Sequence, residues 1–195
     1  MSEVTNILIT GVGGQGTLLT SRVIAQVALD MGYDVKVSEV HGMAQRGGSV
    51  VSEVRFGSKV YAPIIKLADA DYLLAFEKLE AARYLPYLKE GGTLIINDER
   101  IDPLPVMSGE TSYPSAIADE MLNKVSNSLL MPATKMAVEC GDVRTANMVL
   151  MGALATAMQA PWEMVINAVK TKVPAKAVEV NLRAVELGRT FYLAR

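Results

Sequence analysis

Apolar positions along this chain alternate between short unbroken runs and a four-residue period, and the alternation has an order. Ile7, Leu8 and Ile9 form a run too short for a helix and closed by Gly11, which predicts a buried strand. From residue 17 to 31, Leu19, Val23, Val27 and Met31 recur every fourth position with Ile24 beside them, and Gly32 stops the pattern, as at the end of an amphipathic helix. A second strand is predicted at 35–37, so the first forty residues read as a β-α-β unit with the usual crossover. Residues 49–56 and 59–62 are rich in β-branched and aromatic types, and Gly57-Ser58 between them predicts an antiparallel hairpin. Strands at 71–76 and 93–96, joined by a helix over 78–88 and a Gly91-Gly92 turn, return the pattern to parallel α/β.

Pro103, Pro105 and Pro114 mark irregular chain, followed by a helix over 115–123 and a stronger one over 143–158. A last pair, 162–172 and 175–187, is split by Pro174, with Val178, Leu182 and Val185 on one face of the second. The nearly apolar run 148–158 falls short of the roughly 20 residues that cross a bilayer, so it is read as a helix buried by its own domain or by a partner. Met148, Met151 and Met158 are assigned to a helix face that docks against a neighbour. With no repeat or linker, the expectation is a single domain over 1–195. Its class is α/β: three layers, α/β/α, around a Rossmann-like, mostly parallel sheet with an antiparallel hairpin, plus C-terminal helices.

Composition narrows the chemistry. A chain of 195 residues, half of them hydrophobic, can bury roughly 70% of the surface its unfolded form exposes. A net charge of −2 leaves no broad basic surface, so nucleic acid is excluded as a partner. The lone cysteine, Cys140, excludes an internal disulfide and a self-contained iron–sulfur cluster, which takes four thiolates. The opening MSEVTNILITG turns polar at Thr10 and Gly11, too soon for a signal peptide, and predicts a cytoplasmic protein with no membrane segment. No metal site is predicted.

Two stretches carry candidate chemistry. Gly11, Gly13 and Gly16 form a G-x-G-x-x-G directly after a strand and at the opening of a helix, where backbone amides and the positive helix end attract phosphate. Glu39 lies close to the roughly 20-residue spacing at which a dinucleotide enzyme grips a ribose, so a freestanding NAD- or nucleotide-binding module is one reading. Against it, Gly14-Gln15 is unusual in that fingerprint, and no Lys–Tyr or His–Asp pair suits hydride transfer. A tight turn without a ligand is another. The second stretch is SEVHGMAQRGGSV, residues 38–50, which holds the only histidine. His41 could work as an acid or base, and Arg46 with Gly47 and Gly48 could clamp an anion. The glycines could equally do no more than permit a turn.

Three segments taken together resemble one family. GVGGQG after the first strand, SEVHGMAQRGGSV after the second and NMVLMGAL at 147–154 occur in the order found in the gamma-type domain of 2-oxoacid:ferredoxin oxidoreductases, and the wording EVHGMAQRGG is most similar to the indolepyruvate branch. The resemblance spans essentially the whole chain. It implies an enzyme in which a 2-oxoacid is decarboxylated at thiamine diphosphate, two electrons pass through iron–sulfur clusters to ferredoxin, and the acyl group leaves on coenzyme A. Thiamine in that family is held by Gly-Asp-Gly with a downstream asparagine for magnesium. Here Gly141-Asp142-Val143 lacks the last glycine and Asn147 follows too closely. The resemblance therefore implies an accessory subunit, inactive alone, whose larger partner carries thiamine diphosphate, Mg and the 4Fe-4S clusters. Within this chain it points to Gly11, Gly13, Gly14, Gln15 and Gly16 as an anionic pocket whose occupant is coenzyme A, with Gln45, Arg46, Gly47 and Gly48 completing that pocket or facing the partner's thiamine site, and to His41 as a candidate catalytic group. A subunit that binds nothing and only completes a wall of the partner's site is the other reading. Asn147 is read as bonding within the fold.

Overall fold

The first strand, β1 (Thr5–Val12), is buried along nearly its whole length because helices cover both faces of the sheet it belongs to. Side chains of a strand alternate between faces. Ile7 and Ile9 therefore pack with Val23, Ile24 and Val27 of α1 (Thr17–Asp30), while Leu8 faces Ile65 and Ala81 on the opposite side. The chain continues through β2 (Asp34–His41), β3 (Ser49–Gly57), β4 (Ala70–Ala75), α2 (Lys78–Tyr84) and β5 (Leu88–Asn97). A strap then carries the short α3 (Leu104–Met107) and α4 (Ile117–Lys124), after which come β6 (Ser128–Met131), α5 (Ala133–Cys140), α6 (Ala146–Ala157), α7 (Trp162–Lys172) and α8 (Val178–Leu193). The computed structural model describes residues 4–41 and 48–195.

The sheet runs in the order β2-β3-β1-β4-β5-β6. β3 alone opposes the rest: it is antiparallel to β1 on one side and to β2 on the other, while β1, β4, β5 and β6 pair in parallel. The three-layer α/β/α class holds, with α1 and α5–α8 on one face and α2 and α4 on the other.

The expected hairpin is displaced. β3 is half of an antiparallel pair, but its partner is the preceding β2, and 59–62 forms no strand. Both edges of β3 are already occupied, so no ladder is left for a following strand. The backbone of 60–65 is taken up by side chains instead. Asp34 accepts the Val60 amide (2.9 Å), Arg55 donates to the carbonyls of Ala62 (2.9 Å) and Ile64 (3.0 Å), and the buried Glu53 accepts the Ile65 amide (2.9 Å). The expected β-α-β unit needs a similar correction, since β2 runs the same way as β1 but β3 lies between them.

Helix α6 is buried without interruption from Asn147 to Ala155, as an all-round apolar helix must be. Its cover comes from this chain. Met148 and Met151, expected at a docking face, are 0% and 1% exposed within the core. α6 crosses α8 at backbone contact: a Cβ on Gly152 would stand 2.0 Å from the Val185 carbonyl oxygen, and one on Gly188 would stand 1.8 Å from that of Val149. Neither atom can retreat, because each belongs to a helix backbone.

Alanine normally stabilises a helix relative to glycine by about 1 kcal/mol, but here the clash dominates. Gly188→Ala should destabilise by about 2–3 kcal/mol through overpacking, lowering the midpoint of thermal unfolding by about 5–10 °C. An unchanged or raised midpoint in calorimetry would contradict the close crossing.

Candidate functional site

After β1 the chain crosses through α1 toward β2, and after β4 it crosses through α2 the other way to β5. β1 and β4 are neighbours, so a crevice opens beyond their carboxyl ends, where open α/β sheets bind ligands. The glycine loop lies at that point.

Hydrogen bonding sorts the loop residues into two sets. Gly11 is buried inside β1 opposite Val50. The Gly13 amide donates to the Gly48 carbonyl (2.9 Å), and the Gln15 amide to the Val12 carbonyl (3.1 Å). The Gln15 side chain bridges two strands: Oε1 accepts the Val12 amide (2.7 Å) and Nε2 donates to the Phe76 carbonyl (3.0 Å). The Gly13 amide and Gln15, expected to face an anion, thus brace the loop. The amides of Gly14, Gly16 and the first three residues of α1 carry no hydrogen bond among the described residues, as the geometry of a helix start requires, and the Thr20 amide makes the first bond, to the Gly16 carbonyl (3.2 Å).

Gly16 precedes α1 in the left-handed region, with φ 88° and ψ 21°. A Cβ there would also meet Asn147 Nδ2 at 2.7 Å. Asn147 is 3% exposed; its Nδ2 lies 3.5 Å from the Gly16 carbonyl oxygen, and its Oδ1 is buried without a partner. The third family segment is thereby set directly against the first.

A cleft of about 320 Å³ opens on this loop. Gly14 and Gly16 form one wall, Phe76 and Asn97 the ends of β4 and β5, and Thr134 and Arg144 the far side. Asn97 Nδ2 donates to the Phe76 carbonyl (3.3 Å) and to Thr134 Oγ1 (3.0 Å), which fixes the back of the cleft. Glu99 and Ile101, from the strap after β5, close the outside. Arg144 is paired with Asp142 at 2.6 Å, and its guanidinium holds the Asp142 carboxyl down to about 2. The Arg144 side chain is nevertheless 86% exposed, so it can turn toward a bound anion. A larger cleft of about 580 Å³, between Val4, Arg55 and residues 59–69, lies at the amino end of β1 and contains neither glycine-rich loop.

Of the second stretch, His41 is the last residue of β2, opposite Val50, and Gly48 and Ser49 lead into β3. Gln45, Arg46 and Gly47 lie outside the described residues. The Gly13–Gly48 bond sets the end of the second stretch beside the first loop at one rim of the sheet. Ser49 Oγ donates to the buried carboxylate of Glu80, whose other oxygen accepts Arg83 Nε (3.1 Å).

The dinucleotide reading fails on topology. That geometry needs the acid at the end of the strand next to β1, whereas Glu39 sits on β2, paired with Ser52 of the intervening β3. One extra strand doubles the distance from about 5 to about 10 Å. Nor does 141–147 fit a thiamine and magnesium site, because Asp142 is engaged by Arg144 and caps the turn at Val143–Thr145. Among the described residues, no group of three or more His, Cys, Asp or Glu is placed to hold a metal ion, and no helix is long and apolar enough to cross a membrane.

Phe76, Asn97, Thr134 and Arg144 escaped the sequence reading. They come from separate segments with no spacing signal, and only the rule that ligands gather beyond strand carboxyl ends could have pointed to them.

Comparison with known proteins agrees with this geometry. The family described as pyruvate ferredoxin/flavodoxin oxidoreductase matches residues 6–191. The indolepyruvate oxidoreductase subunit IorB of Pyrococcus horikoshii is 45% identical over 190 residues, covering 94% of this chain and 93% of its own. The solved gamma subunit of a keto/oxoacid ferredoxin oxidoreductase from Geobacter sulfurreducens superposes with a TM-score of 0.74 at 25% identity, covering 98% of this chain and 99% of its own. A 2-oxoglutarate:ferredoxin oxidoreductase from Magnetococcus marinus shares the fold, with a TM-score of 0.77 at 20% identity, over all of this chain and 32% of that longer one. These relatives are subunits or parts of larger oxidoreductases and not freestanding nucleotide-binding modules. With a match across nearly its full length and a relative of this similarity, the chain belongs to the pyruvate ferredoxin/flavodoxin oxidoreductase family.

Proposed function

We propose that this chain is the small subunit of an indolepyruvate-type 2-oxoacid:ferredoxin oxidoreductase, and that it holds coenzyme A above the reacting centre of a larger partner. The partner carries thiamine diphosphate, magnesium and the 4Fe-4S clusters and passes electrons to ferredoxin. Bound there, thiamine diphosphate supplies the decarboxylation chemistry. The residues of this chain bind and orient.

The observation that carries the coenzyme A assignment is the set of unengaged amides at Gly14, Gly16 and the start of α1, facing a cleft at the switch point of the sheet. Amides at a helix N-terminus suit a diphosphate. Ile101 and Phe76 offer apolar surface beside it, and Arg144 an exposed guanidinium. The buried Oδ1 of Asn147, beneath Gly16, is an acceptor still without a donor. Glu99 opposes an anion at the outer wall, so the ligand's charge belongs at the inner, glycine side. The Magnetococcus relative, solved with coenzyme A and succinyl-CoA bound, supports the ligand class. The Pyrococcus relative supports indolepyruvate as the oxoacid. Arg46, at the neighbouring loop, is assigned as a second clamp on the phosphates.

Two results are expected from the complex co-expressed with its large chain. With a viologen acceptor, kcat/KM for indolepyruvate should exceed that for pyruvate or 2-oxoglutarate by about tenfold or more, since a pocket built for a large apolar side chain gains about 1–3 kcal/mol over smaller ones. Equal values would remove the indolepyruvate assignment.

Arg46→Ala and Arg144→Ala should each raise KM for coenzyme A by about 10- to 100-fold, the effect of losing a charge-assisted hydrogen bond of about 1.5–3 kcal/mol, with little change in KM for the oxoacid. Coenzyme A kinetics unchanged in both variants would leave the chain as a wall of the partner's site and no more.

A further inference from the structure

The strap over 98–113 forms the outer wall of the cleft, yet little apolar burial holds it there. Its aliphatic side chains Leu104 and Met107 are 75% and 73% exposed, and only Tyr113 is buried. Its start is held by Asp98, whose amide donates to the Met131 carbonyl (2.8 Å) and whose carboxylate accepts Lys78 Nζ (2.8 Å), but the attachments beyond it, at 101 and 113, converge on one residue. Glu77, two residues past β4 and just before α2, is 1% exposed. Oε1 accepts the Ile101 amide (3.3 Å) and the Tyr113 hydroxyl (2.6 Å), while Oε2 accepts the Glu80 amide and caps α2 (2.9 Å). Residues 101 and 113 are thus closed onto a single oxygen, and Ile101 and Glu99 are the strap residues that face the cleft. Adjacent contacts reinforce the anchor: the Lys78 amide donates to the Glu99 carbonyl (3.2 Å), and Arg100 lies 4.5 Å from the centroid of the Tyr113 ring.

A carboxylate is costly to bury without donors, and three donors at one group fix their segments to it. Nothing at the end of β4 requires an acid for packing, since a serine or threonine would cap α2 as well. What the longer side chain adds is reach to the strap. From this we infer that Glu77 is a positioning residue: it sets the distance between the strap and the glycine loop, and so the width of the cleft, an inference that rests on the coenzyme A reading above. Burial and the bond to Glu77 hold the Tyr113 phenol well above its usual range, so the contact stays protonated and intact through neutral and mildly alkaline pH.

Tyr113→Phe tests this in the assembled complex, since it removes one strap contact and leaves the Glu77–Glu80 cap of α2 in place; Glu77→Gln is the companion variant. Amide hydrogen exchange over 98–113 should quicken by about tenfold, as expected for loss of a hydrogen bond to a charged group. KM for coenzyme A should rise several-fold while kcat and KM for the oxoacid move much less, a split that general destabilisation would not give. Unchanged exchange would overturn the inference. So would faster exchange with unchanged KM for coenzyme A, provided Arg144→Ala still raises that KM. If Arg144→Ala and Tyr113→Phe both leave it unchanged, the coenzyme A reading itself has failed and the functional role of Glu77 falls with it.

Discussion

A strand that runs backwards between two that run forwards determines how this site is assembled. The register of β1 against β3 sets Val12 opposite Ser49, so the chain leaving one strand passes the chain entering the other. The Gly13 amide and Gly48 carbonyl add one more rung to that ladder. Two glycine-rich stretches more than thirty residues apart are thereby joined by backbone alone. The same arrangement separates β2 from β1, and with that the acid expected to read a ribose is one strand too far away. One topological feature both builds the double-loop rim and rules out the dinucleotide mode that the glycine spacing suggests.

The fold was legible wherever local pattern and long-range packing agree. α1 showed its four-residue apolar period because one stripe faces the sheet and the other faces solvent, and α7 falls on the residues its pattern predicts. Legibility failed where distant groups intervene. The pattern over 59–62 suits a strand, but side chains from β2 and β3 hold the nearby backbone first. β6 has only four residues and passes into α5 through Met131-Pro132, too little chain for a period to register. Gln15 is the instructive case at the site. Sequence places it in a phosphate loop, and only the Phe76 carbonyl, 61 residues further along, shows that its amide braces that loop instead.

That bracing bears on binding. A loop whose amides are to meet an anion must hold them in place beforehand, because ordering a mobile loop on binding subtracts from affinity. Here the Gly13 amide and both ends of the Gln15 side chain are used internally, and those bonds fix the orientation of the Gly14 and Gly16 amides that remain. The charged groups around the cleft carry no net positive charge, with Arg144 offset by Asp142 beside it and Glu99 opposite. Local dipoles at the start of α1, and not net charge, therefore make the glycine side the favourable one for phosphate.

The walls of the cleft also share a mechanical origin. The Phe76 carbonyl, at the end of β4, receives Gln15 from the loop after β1 and Asn97 from the end of β5. The next residue, Glu77, receives the strap and the first turn of α2. Two consecutive residues thus tie down the inner loop, the back wall and the outer wall. Each of these bonds is short-ranged and directional, so a shift of the chain at 76–77 cannot be absorbed by one wall alone. Packing offers little alternative anchor, because Leu74, Ala75 and Phe76 fix the strand end within the core while, of the strap's own apolar groups, Leu104 and Met107 face outward and the buried one, Tyr113, is itself bonded to Glu77. The cleft is in this sense a property of the β4–α2 turn, and the glycine loop is the part of it that the sequence displays.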